Sequence, residues 1–140
     1  MDDDETLIGR ATVFVDHGLL LIEDPKSTDL HEDWVPATQY VSAGPSSVYV
    51  AVQPSVDGPV EIGMFAELFD DTDAVTGFDG TITSDSGSIV VHDVNDTFRF
   101  AIRVPRSQVR LRVLVDEAGS AAEVTIMVIL EQREDPWTLG

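Results

Sequence analysis

The sequence predicts an all-β protein, an antiparallel two-sheet sandwich of about eight or nine strands. Three observations carry this. Apolar residues recur at every second position over most of the chain, the period of a half-buried strand. Clusters of Gly, Pro, Asp and Ser interrupt these stretches at short, even spacing. Helical periodicity is sustained almost nowhere.

Ala11 to Asp16 alternates, with Val13 and Val15 on one face. After His17-Gly18, Leu19 to Glu23 forms a second strand. Residues 26 to 34 suit one short helical turn capped by Ser27 or Thr28. Ser47 to Gln53 sets Val48, Val50 and Val52 on one face, and Val60 to Phe69 follows. Gly63 inside that strand signals a bulge or a close approach. Phe78 to Thr83 runs into the turn Ser84-Asp85-Ser86-Gly87, then Ser88 to His92 leads to Asn95-Asp96. Thr97 to Val104 points Phe98, Phe100, Ile102 and Val104 one way and Arg99 and Arg103 the other. Val109 to Asp116 repeats the pattern after a turn at Pro105 to Gln108. Glu123 to Glu131 is apolar on both faces, the mark of a central, covered strand.

The 140 residues predict a single domain, 1–140, with residues 1–6 and 132–140 as flexible ends. No cysteine is present, which excludes disulfides, thiolate metal sites and cysteine nucleophiles. The start Met1-Asp2-Asp3-Asp4-Glu5 is the reverse of a secretory signal. The longest apolar run, Ile126 to Leu130, is far short of the ~20 residues of a membrane span. A cytoplasmic protein with no membrane role is expected.

Charge is the strongest functional feature. The chain has 26 acidic residues against 8 Lys and Arg, a net charge of −18. Self-repulsion of that size works against a compact state, yet 43% of the residues are apolar and patterned to fold. Binding to phosphate backbones relies on Lys and Arg, so nucleic acid is not an expected partner. Basic proteins are. The same acidity also serves solubility, or adaptation to salt.

The densest acid is Asp70-Asp71-Thr72-Asp73, with Asp79 behind it. These four aspartates are the candidate surface for a basic partner. Acidic loops of sandwich domains also hold calcium, which takes six to eight oxygens. Here no EF-hand spacing occurs and no second Asp-rich loop pairs with the first, so neither a metal site nor a cofactor is expected. His17, His31 and His92 are scattered, no Gly-x-Ser-x-Gly elbow frames a serine, and no glycine loop cradles phosphate. The chain is not expected to be an enzyme. Five of the seven arginines fall between 99 and 112. On two strands joined by the 105–108 turn, Arg99, Arg103, Arg110 and Arg112 would share one outward face. That face would pair with neighbouring acids, or meet the acidic loops of a second copy in a homo-oligomer. Trp34 and Trp137 stand outside the strands as lids or partner anchors.

From Gly44 to Glu131 the order of features resembles the bacterial competence protein J family, small β-sandwich proteins that include an inhibitor of a competence nuclease. A strand pair, Ser47–Gln53 and Val60–Leu68, precedes an Asp-rich connection. Thr81-Ile82-Thr83-Ser84-Asp85-Ser86-Gly87-Ser88-Ile89-Val90-Val91 then forms a strand, a Ser-Gly turn and a strand. A Phe-rich strand ends at Val104-Pro105, and Arg110-Leu111-Arg112-Val113 follows; the family's Gly-Tyr start to that strand is absent. The resemblance implies a non-enzymatic acidic binding protein, an inhibitor or immunity-type partner of a basic protein such as a nuclease. The alternatives are a self-associating structural sandwich and a calcium-binding sandwich module.

Overall fold

The computed structural model describes residues 7–29, 31, 40–69, 73–104 and 107–129. Ten strands build it: β1 Leu7–Val13, β2 Leu19–Glu23, β3 Val41–Ala43, β4 Ser47–Ala51, β5 Val60–Phe65, β6 Val75–Ser84, β7 Ser88–Asp93, β8 Arg99–Arg103, β9 Ser107–Val115 and β10 Glu123–Val128. They form two five-stranded sheets. Sheet A has the order β1-β5-β10-β9-β6 and sheet B the order β3-β4-β2-β7-β8. The predicted two-sheet sandwich is therefore the fold, with ten strands instead of eight or nine. Pairing is antiparallel except between β5 and β10, which run parallel.

The core follows from the alternation. Leu20, Ile22, Val48, Val50, Ile89 and Val91 face inward from sheet B, and Ile62, Val109, Leu111, Val113, Val124 and Ile126 from sheet A, all buried in one cluster. Ile102 and Val104 join them, with Phe98 and Phe100 packed against the edge. β10 is central, as its composition predicts, and even its outward Met127 is fully buried. The chain after β5 covers it: the Phe69 amide N–H donates to Met127 Sδ at 3.3 Å, and the Phe65 and Phe69 rings meet edge to face at 5.2 Å.

Three details differ from the sequence reading. Lys26 sits in a turn followed by irregular chain, and no helix occurs among the described residues of 26–34. β3 is only three residues long and leaves no periodic trace. β8 and β9 do not form a hairpin: β8 pairs with β7 in sheet B, β9 with β6 and β10 in sheet A. The expected flexible ends, Trp34 and Trp137 lie outside the described residues. No helix of the described residues is long and apolar enough to cross a membrane.

Candidate functional site

Of the four candidate aspartates, Asp70 and Asp71 lie outside the described residues. Asp73 is exposed just before β6. Asp79 lies within β6, opposite Arg112 of β9. Its Oδ1 pairs closely with Arg110 Nη1, and its Oδ2 lies 3.3 Å from Arg112 Nε. The Arg110 hydrogen bond, with the charges of Arg110 and Arg112 behind it, outweighs desolvation and holds the Asp79 carboxyl below the usual carboxylate range. Arg110 also donates to the Gly80 carbonyl at 3.1 Å and Arg112 to the Phe69 carbonyl at 3.0 Å. Asp79 is thus neutralised within the fold, and Arg112 ties the chain after β5 to the sheet.

The single arginine stripe is corrected to two separate pairs. Arg110 and Arg112 point outward from sheet A, because Val109, Leu111 and Val113 take the inward positions. Arg99 and Arg103 point outward from sheet B, on the opposite side of the sandwich, because Ile102 points in. Arg99 lies 3.5 Å from Asp96, an exposed pair of little energetic weight.

A polar seam missed by sequence reasoning crosses the outer face of sheet B. Register places Ser42, Tyr49, Leu21, His92 and Arg99 in one row across β3, β4, β2, β7 and β8. Glu23 sits between two of them. Its Oε2 meets His92 Nε2 at 2.7 Å, and its Oε1 accepts from the Tyr49 hydroxyl at 3.4 Å. The His92 Nδ1 lies 3.3 Å from Asp96 Oδ1. Burial, with the Glu23 charge added, pushes the Tyr49 hydroxyl up to about 12.

His31 stacks on Tyr49, ring centroids 3.8 Å apart. Its Nδ1 is 2.7 Å from Ser42 Oγ and its Nε2 is 2.8 Å from Ser47 Oγ. Ser47 is fully buried and donates its one hydroxyl proton to Asp29 Oδ2 at 2.7 Å. His31 Nε2 must therefore donate to Ser47. Burial lowers the His31 pKa despite the nearby Asp29 and Glu23, which favours the neutral ring with Nδ1 accepting from Ser42. An activated serine needs its proton directed to the imidazole, with the carboxylate behind the ring. Here the serine stands between acid and imidazole, so the trio is structural. Burial raises the Asp29 pKa, but hydrogen bonds from Ser47 and Ser46 outweigh it and hold the carboxyl low.

Asp24 is buried. Its Oδ2 accepts from Ser84 Oγ, Ser86 Oγ and the Ser86 amide at 2.8, 2.9 and 3.1 Å, and its Oδ1 from the Lys26 amide at 2.7 Å. All are donors of protein hydrogen, so the carboxylate is satisfied and not aimed at a cation. Among the described residues no group of three or more His, Asp or Glu is placed to hold a metal.

No protein-family model matches the chain, and no curated protein matches its sequence. Among solved structures it is similar to ComJ from Bacillus subtilis, described as an inhibitor of the DNA degrading activity of NucA. The two superpose with a TM-score of 0.64 over 87% of this chain and 95% of ComJ, at 11% sequence identity. The chain is a distant structural match to ComJ. This is the likeness to which the order of strands and turns from Gly44 to Glu131 points, and at that identity it carries the fold.

Proposed function

We propose that this chain is a non-enzymatic binding protein that inhibits or neutralises a basic protein partner, with a nuclease as the favoured class. The observation that carries the reading is a net charge of −18 on the two-sheet fold of a nuclease inhibitor. Carboxylates displayed on a rigid sandwich meet a nuclease where it expects phosphates, and charge complementarity speeds the encounter. The arginines add to this, because Arg110 and Arg112 are spent on Asp79 and on backbone carbonyls. Asp70, Asp71 and Asp73 are the acids assigned to the partner. Asp79, bound at home, has a smaller part. A cytoplasmic setting fits this role.

Affinity purification from the native host tests the reading, at low salt and again at about 0.5 M NaCl, where the Debye length shrinks to a few ångströms. A basic protein captured at low salt and lost at high salt is the expected outcome. Asp70→Lys, Asp71→Lys and Asp73→Lys together should weaken capture without lowering the melting temperature. A partner held equally at both salts would replace the electrostatic reading with an apolar interface. Dissolution of a homo-oligomer by Arg99→Glu and Arg103→Glu, with no partner captured, would favour self-association through sheet B.

A further inference from the structure

The outer face of sheet A carries an open groove of about 650 Å³ over β1, β5 and β10, with Arg10, Glu61, Gly63, Phe65, Glu123 and Thr125 among its lining. Because β5 and β10 run parallel, register sets Glu123 directly beside Glu61 and Thr125 beside Gly63. Both glutamates point out, since Val60, Ile62, Val124 and Ile126 are buried inward. Like charges directly opposed on adjacent strands are destabilising. Neither carboxylate has an ion pair or side-chain hydrogen bond among the described residues. The nearest basic residue on that face, Arg10, extends over the Phe65 ring, 5.9 Å from its centroid. Gly63 makes room for the Phe65 ring, since a Cβ there would stand 3.1 Å from it.

We propose that this groove receives an arginine or lysine side chain of a basic protein partner, the cation resting between Glu61 and Glu123. The proposal rests on the basic-partner reading above and gives it a specific contact. Two in-register carboxylates match the fork of a guanidinium or the charge of an ammonium. A bare calcium ion is a poorer fit, since it takes six to eight oxygens.

The test is a heteronuclear NMR titration of the whole chain at low salt with a short Gly-Ser peptide carrying one arginine, against the same peptide carrying citrulline. Saturable shifts confined to the amides of Glu61, Gly63, Glu123 and Thr125, seen with arginine alone, are expected. Glu61→Gln with Glu123→Gln should weaken that binding roughly tenfold, the loss of a charge-assisted contact. The same double variant should melt about 2 °C higher at low salt, because the repulsion is gone, which also shows that it folds. Arg10→Gln should tighten binding about two- to threefold by removing a competing cation. Shifts spread over every acidic loop, or unchanged in the double Gln variant, would overturn the site. Partner capture that survives such a result would leave the basic-partner reading standing without this groove. A groove that binds the peptide when no basic partner is captured would separate the two in the other direction.

Discussion

Asp24 has the highest local stakes of any residue. It is 3% exposed and accepts four hydrogen bonds, three of which tie the end of β2 to the end of β6 and the β6–β7 turn. Burial raises its pKa, and bonds from the Lys26 and Ser86 amides and the Ser84 and Ser86 hydroxyls more than cancel that, so the folded value lies below the ordinary one. A carboxyl held low in the folded state contributes stability that is complete above the unfolded value of about 3.9 and is lost as pH falls through the folded one. Asp24→Ala strands several buried donors, and a loss of about 3 kcal/mol is expected from urea unfolding at pH 7. The difference from the parent should shrink below about pH 4. A gap that stays constant to pH 2 would show that shape, not charge, is what Asp24 supplies. His31 illustrates the opposite economy: burial lowers its pKa, and the direction of the Ser47 proton makes its Nε2 a donor.

At the scale of elements, the loops at one end of the sandwich lock together. Gly18 donates to the Val15 carbonyl and accepts from the Val52 amide, and Ser55 also donates to Val15. Gly18 holds φ +66°, and a Cβ there would stand 2.9 Å from the Val52 carbonyl oxygen. Gly119 shares the left-handed conformation, φ +86°, with no atom within 4 Å of such a Cβ. Gly18→Ala should therefore cost about 2–3 kcal/mol, strain plus displacement of β4, and Gly119→Ala only about 1 kcal/mol. Equal losses in thermal unfolding would mean that the close approach at Gly18 relaxes freely. The strands themselves were legible as elements because a period of two survives in any sheet with one face buried. Their partners were less so. A Pro-containing turn between two alternating strands suggests a hairpin, yet β8 and β9 bury their apolar faces from opposite sheets. Both arrangements produce the same alternation, so periodicity cannot choose between them.

For the whole molecule, charge and fold pull against each other. Self-repulsion at −18 weakens the compact state and is screened by salt. The melting temperature should rise by several degrees between about 20 mM and 0.5 M NaCl. Ca²⁺ and Mg²⁺ at matched ionic strength should add equal, small increments. A calcium-specific rise would instead restore a metal site, since a ligand stabilises only the state that binds it.

By itself the sequence determined the all-β class, the inward and outward faces of most strands, the central place of β10, the absence of thiol chemistry and the excess of acid. These are properties of composition and of local period, and a chain carries them without regard to its partners. Only the tertiary structure decided which strands share a sheet, and with that the fate of the charges. It split the arginines between two faces, bound Asp79 to Arg110 and Arg112, joined His31, Tyr49, Glu23 and His92 across β4, β2 and β7, and set Glu61 beside Glu123. Glu23 and His92 are 69 positions apart in the chain, Glu61 and Glu123 lie on strands from its two halves, and no local pattern records either meeting. Side chains brought together by strand register acquire their partners only when the sheets form, because a shift of one residue would send every one of them to the other face.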